Sequence, residues 1–262
     1  MAEDLILQAP KGFNAATDAE LERLIARYRN AGGIGFELLN ALGGQAEDLL
    51  DKLPAPVRDG LEGATEKALF KAMKLAHGSR SVVGDRVGWL NAAVAGALGA
   101  VGGVGGAPTA LAEIPITTTV LLRAIQGEAA KLGFDPASEN IQFDCVQVFG
   151  AAGPLAKDDG ADMGFVSARL ALTSGTMQTV IAKVTPKLAV VLGQKLAAQA
   201  VPVLGAVAGA TVNFSYLGYY QEIAHVHFGL RKLSIDSGVS HEHLVAELKR
   251  RMEPARLTGG SV

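Results

Sequence analysis

Four of the five histidines crowd toward the C-terminal end of the chain: His225, His227, His241 and His243. Glu222 and His225 stand three apart, a spacing that puts a carboxylate and an imidazole on one helix face, as in carboxylate-bridged metal bundles. That is half a site. The other half needs inward carboxylates from elsewhere, and Glu113, Glu128 and Asp144 can serve only if folding brings them close. His225 and His227, about 200° apart on a helix, cannot both face one metal. His241-Glu242-His243 begins like H-E-x-x-H, but Val245 stands where the second histidine belongs. The candidate metal set is therefore Glu113, Glu222, His225 and His227, set against the plainer reading of hydrogen-bonded structural histidines.

Glu113 is the only charge between Arg86 and Arg123. A carboxylate in so apolar a segment must be paired, protonated, metal-bound or turned to water. Three roles compete: capping the helix that follows, a buried ion pair with Arg123 or Arg231, or contact with a ligand. Other chemistry lacks an anchor. No phosphate-binding G-x-x-x-x-G-K-[ST] occurs, the glycine run before Pro108 lacks dinucleotide-fold spacing, and no G-x-S-x-G elbow is present. Cys145 sits at an apolar helix position, as a small core residue does.

The elements that must position these groups read as helices. Thr17 or Asp18 caps a first helix with Leu21, Leu24, Ile25 and Tyr28 on one face, ending near Gly32-Gly33 or resuming to Gly43-Gly44. After Pro54 and Pro56 a second helix carries Leu61, Thr65, Ala68, Leu69, Ala72 and Leu75 opposite Lys67, Lys71 and Lys74. Pro108 opens a helix that stops at Gly133, and kinks are expected at Pro115 and, further on, at Pro202. Asp135-Pro136 opens the next, to Gly150, and residues 151–164 form a loop. Thr185-Pro186 repeats the cap-and-proline signature. A long helix runs from Val203 to about Leu233 and a short one follows Ser240.

Two stretches of 26 residues, Val87 to Ala112 and Leu196 to Gln221, contain no charge. Each is long enough to span a bilayer, but Gly and Ala contribute little transfer energy, and the run Gly102 to Pro108 breaks the first. Gly88, Ala92, Gly96 and Ala100, and likewise Gly205 and Gly209, form small-residue strips suited to close helix contact. This bias shapes the whole composition: of 262 residues, 49% are hydrophobic yet only 5% aromatic, with 32 Gly. Such a chain buries a core and is not disordered. Its 24 basic residues balance 26 acidic ones, which leaves no electrostatic footprint for nucleic acid. The single cysteine excludes an internal disulfide, and Met1-Ala2-Glu3-Asp4-Leu5 lacks the order of a secretory signal, so the cytoplasm is the expected compartment.

Three segments together carry a resemblance. Leu111 to Arg123 (LAEIPITTTVLLR), Cys145 to Gly153 (CVQVFGAAG), and Ala200 to Asn213 followed by Ala224 to Phe228 (AHVHF) resemble the EcsC family over roughly Leu61 to Leu233. The resemblance implies a bacterial-type helical protein, from a family named for a member encoded beside a transporter linked to secretion; it implies no established reaction and no cofactor. Glu113, Pro115, Arg123, Asn213 and His227 match the family's recurrent polar or bend positions, which makes Glu113, Arg123, Asn213 and His227 the candidate ligand-binding set.

The expectation is an all-α, compact multi-helix single domain with two central Gly/Ala-rich segments: an N-terminal helical extension (1–60), an EcsC-like core (61–235) and a short C-terminal helix and tail (236–262). The leading function is non-enzymatic: a cytoplasmic or peripheral inner-membrane protein that binds lipid or an apolar ligand, or assists an envelope system. The alternatives are a metal-dependent enzyme with a buried Glu/His site and a scaffolding homo-oligomer.

Overall fold

Asn14 opens the first helix, its side-chain Oδ1 accepting the backbone N–H of Thr17 at 2.9 Å. The cap is thus Asn14 rather than Thr17 or Asp18, because Thr17 is already buried in the first turn. This helix, α1 (Ala15–Ala41), runs straight through Gly32-Gly33 and buries Leu21, Leu24, Ile25 and Tyr28 as its spacing predicts. We describe it from a computed structural model that covers residues 13–41, 49–80, 107–151, 153–155, 176–199 and 205–252. Most of the first uncharged stretch, including the strip Gly88 to Ala100 and the break before Pro108, lies outside the described residues. So do Pro202 and most of the 151–164 loop.

A 3₁₀ turn (Leu50–Lys52) leads through Pro54 into α2 (Ala55–Arg80), which buries Leu61, Thr65, Ala68, Leu69 and Ala72 and exposes Lys67 and Lys71. Then come α3 (Ala107–Lys131), α4 (Glu139–Val148), α5 (Met177–Gln199), α6 (Gly205–Ser237) and α7 (His241–Met252). Among the described residues there is no strand, and the fold is all-α.

Gly133 ends α3 at φ +88°, with Phe134 N–H returning to the Ala129 carbonyl at 3.0 Å and Gly133 N–H to that of Ala130 at 3.0 Å. This is the left-handed helix stop that favours glycine. Asp135-Pro136 does not itself open α4. Asp135 first closes a turn, its carboxylate accepting the Ala137 N–H, and the helix begins at Glu139.

Both helix-interior prolines are tolerated. Thr185-Pro186 lies inside α5 and is not a helix start: the helix opens nine residues earlier, after Thr176. Pro186 and Ala182, whose carbonyl the missing N–H would have met, are exposed, so water can replace that bond. In α3, the Thr118 and Thr119 hydroxyls donate to the carbonyls of Ile114 and Pro115, each at 2.7 Å, supporting the backbone around Pro115.

Packing follows from small residues at contacts. Gly229 of α6 receives Leu24 of α1, Gly218 faces Ile34, and Arg27 reaches Glu222, so α1 and α6 lie antiparallel. Gly193 of α5 receives Leu50 and Leu61. Helix α2 lies along α3 and α5, α3 packs on α6, and short α4 touches α3, α5 and α6. Leu21 and Leu24 of α1 and Leu244 and Leu248 of α7 are buried in the same core as the central helices.

Candidate functional site

Among the described residues two buried ion pairs sit inside this bundle, and neither is the pair anticipated for Glu113. Lys195 Nζ of α5 donates to Glu113 Oε1 at 2.5 Å; the side chains are 2% and 7% exposed. Gln199 Nε2 and Thr117 Oγ1 add longer bonds to the same oxygen at 3.3 and 3.4 Å. Glu113 therefore caps nothing, since it stands one turn inside α3. Arg123 is ten residues further along the same helix, about 15 Å of axial rise, which is too far to meet it. Burial pulls the Lys195 ammonium below its ordinary value and Glu113 partly offsets this.

Arg231 pairs instead with Asp144 of α4, while His227 Nε2 stands 3.8 Å from the same carboxylate. The guanidinium also lies over the Phe134 ring, 5.1 Å from its centroid. Burial raises the Asp144 carboxyl, but His227 and Arg231 outweigh it and hold the group below the ordinary Asp value.

The sequence-predicted metal set does not converge. Glu222 turns to Arg27 on α1 at 3.0 Å. His225 turns to Glu128 on α3 at 3.1 Å, and Lys131 completes that cluster at 2.6 Å. Glu113 is held by Lys195 and His227 lies beside Asp144. Among the described residues no three His, Cys, Asp or Glu side chains stand close enough to hold a metal ion. Glu222 and His225 share a face of α6, but that face lies between two neighbours and each residue reaches a different one.

Of the anticipated ligand set, Arg123 is half-buried on α3 and Asn213 is buried on α6, with its Nδ2 lacking a hydrogen-bond partner. Asn213 and His227 face the same way, yet 14 residues of helix separate them, about 21 Å. Between them lie two residues that sequence reasoning missed, Tyr216 and Tyr220. Both are 0% exposed and neither hydroxyl has a partner. Asn213, Tyr216, Tyr220, His227 and Arg231 fall within roughly 60° of one another around α6, at 100° per residue. Their i, i+3, i+4 recurrence was visible in the sequence, but aromatic residues at helical spacing read first as core.

On α4, Asp144 meets α6 at 227–231 and the Phe149 ring meets Tyr220 with centroids 5.3 Å apart; Gln147 stands between them in sequence and is buried. Its Oε1 is buried without a partner. Each such group costs about 1–3 kcal/mol if nothing satisfies it, so three on one face of α6 and a fourth on α4 are a substantial cost.

A protein-family model described as the EcsC protein family matches residues 83–233, more than half of the chain. The chain belongs to the EcsC protein family. The match takes in Glu113, Asp144, Lys195, Tyr216, Tyr220, His227 and Arg231, so both buried ion pairs and the polar face of α6 lie in the EcsC region. It begins later than the Leu61 suggested by resemblance, leaving α1 and α2 outside. No curated protein and no solved structure matches this EcsC chain. Among the described residues no helix is long and apolar enough to cross a membrane.

Proposed function

We propose that this EcsC-family chain is a non-catalytic helical protein that meets the lipid of a membrane surface through its first uncharged segment and the exposed face of its second. The Glu113–Lys195 pair carries this reading. Glu113 directly follows the first uncharged stretch and Lys195 directly precedes the second, so the salt bridge ties both stretches to one place on the bundle. Residues 107–112 of the first stretch open α3, and residues 196–199 and 205–221 of the second lie in α5 and α6. Ile116 of α3, three residues from Glu113, and Phe214 of α6, inside the second stretch, are 45% and 47% exposed and present apolar side chains to solvent. Net charge is −2, which leaves the apolar effect, rather than attraction to anionic headgroups, to drive the contact.

Flotation of the full chain with phosphatidylcholine vesicles tests this. The chain should float with the vesicles, stay bound in 1 M salt, and lose most of its binding in the Leu98→Asp and Val104→Asp variants. A chain that stays at the bottom of the gradient, or floats equally well with both charges inserted, overturns the reading.

A further inference from the structure

The polar face of α6 at Asn213, Tyr216 and Tyr220 is buried, so it takes no part in the surface contact just proposed, and it has the donors and acceptors of a binding site. We infer that Asn213, Tyr216 and Tyr220 of α6, with Gln147 of α4, bind the neutral hydrogen-bonding head of an amphiphile: the hydroxyl and ester groups of a glyceride. This rests on the lipid reading for the class of molecule and on these four side chains for its head.

Charge decides the chemistry. Asn213, Tyr216 and Tyr220 all lie in the uncharged stretch Leu196 to Gln221. The two buried ion pairs are already committed, Lys195 to Glu113 and Arg231 to Asp144. A carboxylate or phosphate brought there would find Lys195 and Arg231 already paired and would bear much of its desolvation cost alone. A neutral head bears no such cost. Burial pushes both phenols well above their ordinary value, so they remain neutral and can donate. The unpartnered atoms then form a matched set: two hydroxyls that donate and accept, the Asn213 Nδ2 that donates and the Gln147 Oε1 that accepts. Glyceryl hydroxyls need both kinds of partner and an ester carbonyl needs a donor. The Tyr220 ring is held edge-on by Phe149 and Tyr219, at 5.3 and 5.4 Å between centroids, which fixes the direction of its hydroxyl.

Isothermal titration of the full chain with 1-monooleoylglycerol, oleate and hexadecane tests the assignment. The glyceride should bind about tenfold or more tighter than either comparator. The double variant Tyr216→Phe/Tyr220→Phe keeps both rings and removes only the hydroxyls; it should lose about tenfold or more in glyceride affinity while floating with phosphatidylcholine vesicles as the parent does. Gln147→Met, made separately, should weaken glyceride binding in the same direction. Glyceride affinity unchanged in the double variant, or oleate binding more tightly than the glyceride, overturns the inference. Vesicle flotation without glyceride preference overturns this site and leaves the surface reading standing; glyceride preference without flotation does the reverse.

Discussion

Lys195 Nζ and Glu113 Oε1 lie 2.5 Å apart across 82 residues of sequence, both side chains buried, each standing at the edge of an uncharged stretch. The pair joins α3 to α5 at the point where charge disappears from both, so its removal should be felt in folding as well as in function.

Lys195→Met strands the Glu113 carboxylate in an apolar interior and should cost about 3–5 kcal/mol in chemical denaturation. The double variant Glu113→Gln/Lys195→Met removes both charges and should recover most of that loss. A double variant as unstable as the single one would show that the pairing itself is not what the interior requires.

Acid should unfold the protein through its buried carboxylates. Asp144 and Glu128 titrate in the folded state below their ordinary values of 3.8 and 4.5. For each, burial works against this, but His227 and Arg231 beside Asp144, and His225 and Lys131 beside Glu128, prevail. A carboxyl lowered by folding contributes stability that is complete above its unfolded value and is lost as pH falls through its folded value. Denaturant midpoints should therefore hold down to the ordinary carboxyl range and fall below it. Asp144→Asn should be less stable than the parent at pH 7, and the gap should narrow with acidification.

Gly153 has φ +85°, and a Cβ placed there would meet Val191 Cγ1 at 2.8 Å and Cγ2 at 2.9 Å. Gly153→Ala therefore incurs both backbone strain and overlap with a buried β-branched side chain, about 2 kcal/mol or more in total. Adding Val191→Ala relieves the overlap but not the strain and opens a cavity of its own, so thermal melting should show no full recovery.

Arg251 of α7 reaches Asp18 and Glu22 of α1 at 2.6 Å each, and Glu247 at 2.7 Å. Being partly exposed, the cluster should contribute about 1 kcal/mol or less, diminishing in high salt. Arg251→Ala should speed amide exchange in α7 more than in α4, where the backbone lies in the interior. Equal protection of α7 in parent and variant would show that its apolar face, Leu244, Val245 and Leu248, holds it unaided.

Much of this could be read from periodicity. The apolar faces of α1 and α2, the stop at Gly133 and the short final helix after Ser240 are local consequences of side-chain spacing and glycine conformation. Thr185-Pro186 misled because a cap-and-proline start and a solvent-facing proline inside a helix have the same sequence; only exposure separates them. Glu222-x-x-His225 misled for a related reason. Helical spacing put both on one face of α6, but it could not say that α1 and α3 flank that face and take one residue each.

By itself, then, the sequence determined the all-α class, the buried stripes, the kinship with the EcsC family and the confinement of charge to the regions outside two long stretches. These depend on residues within a turn or two of one another, or on composition. Tertiary structure decided that Glu113 answers to Lys195, that Asp144 gathers His227 and Arg231, and that two tyrosines and an asparagine on one face of α6 are buried. A long-range partner is chosen by how helices pack, and the desolvation that makes a polar group costly exists only once they have packed.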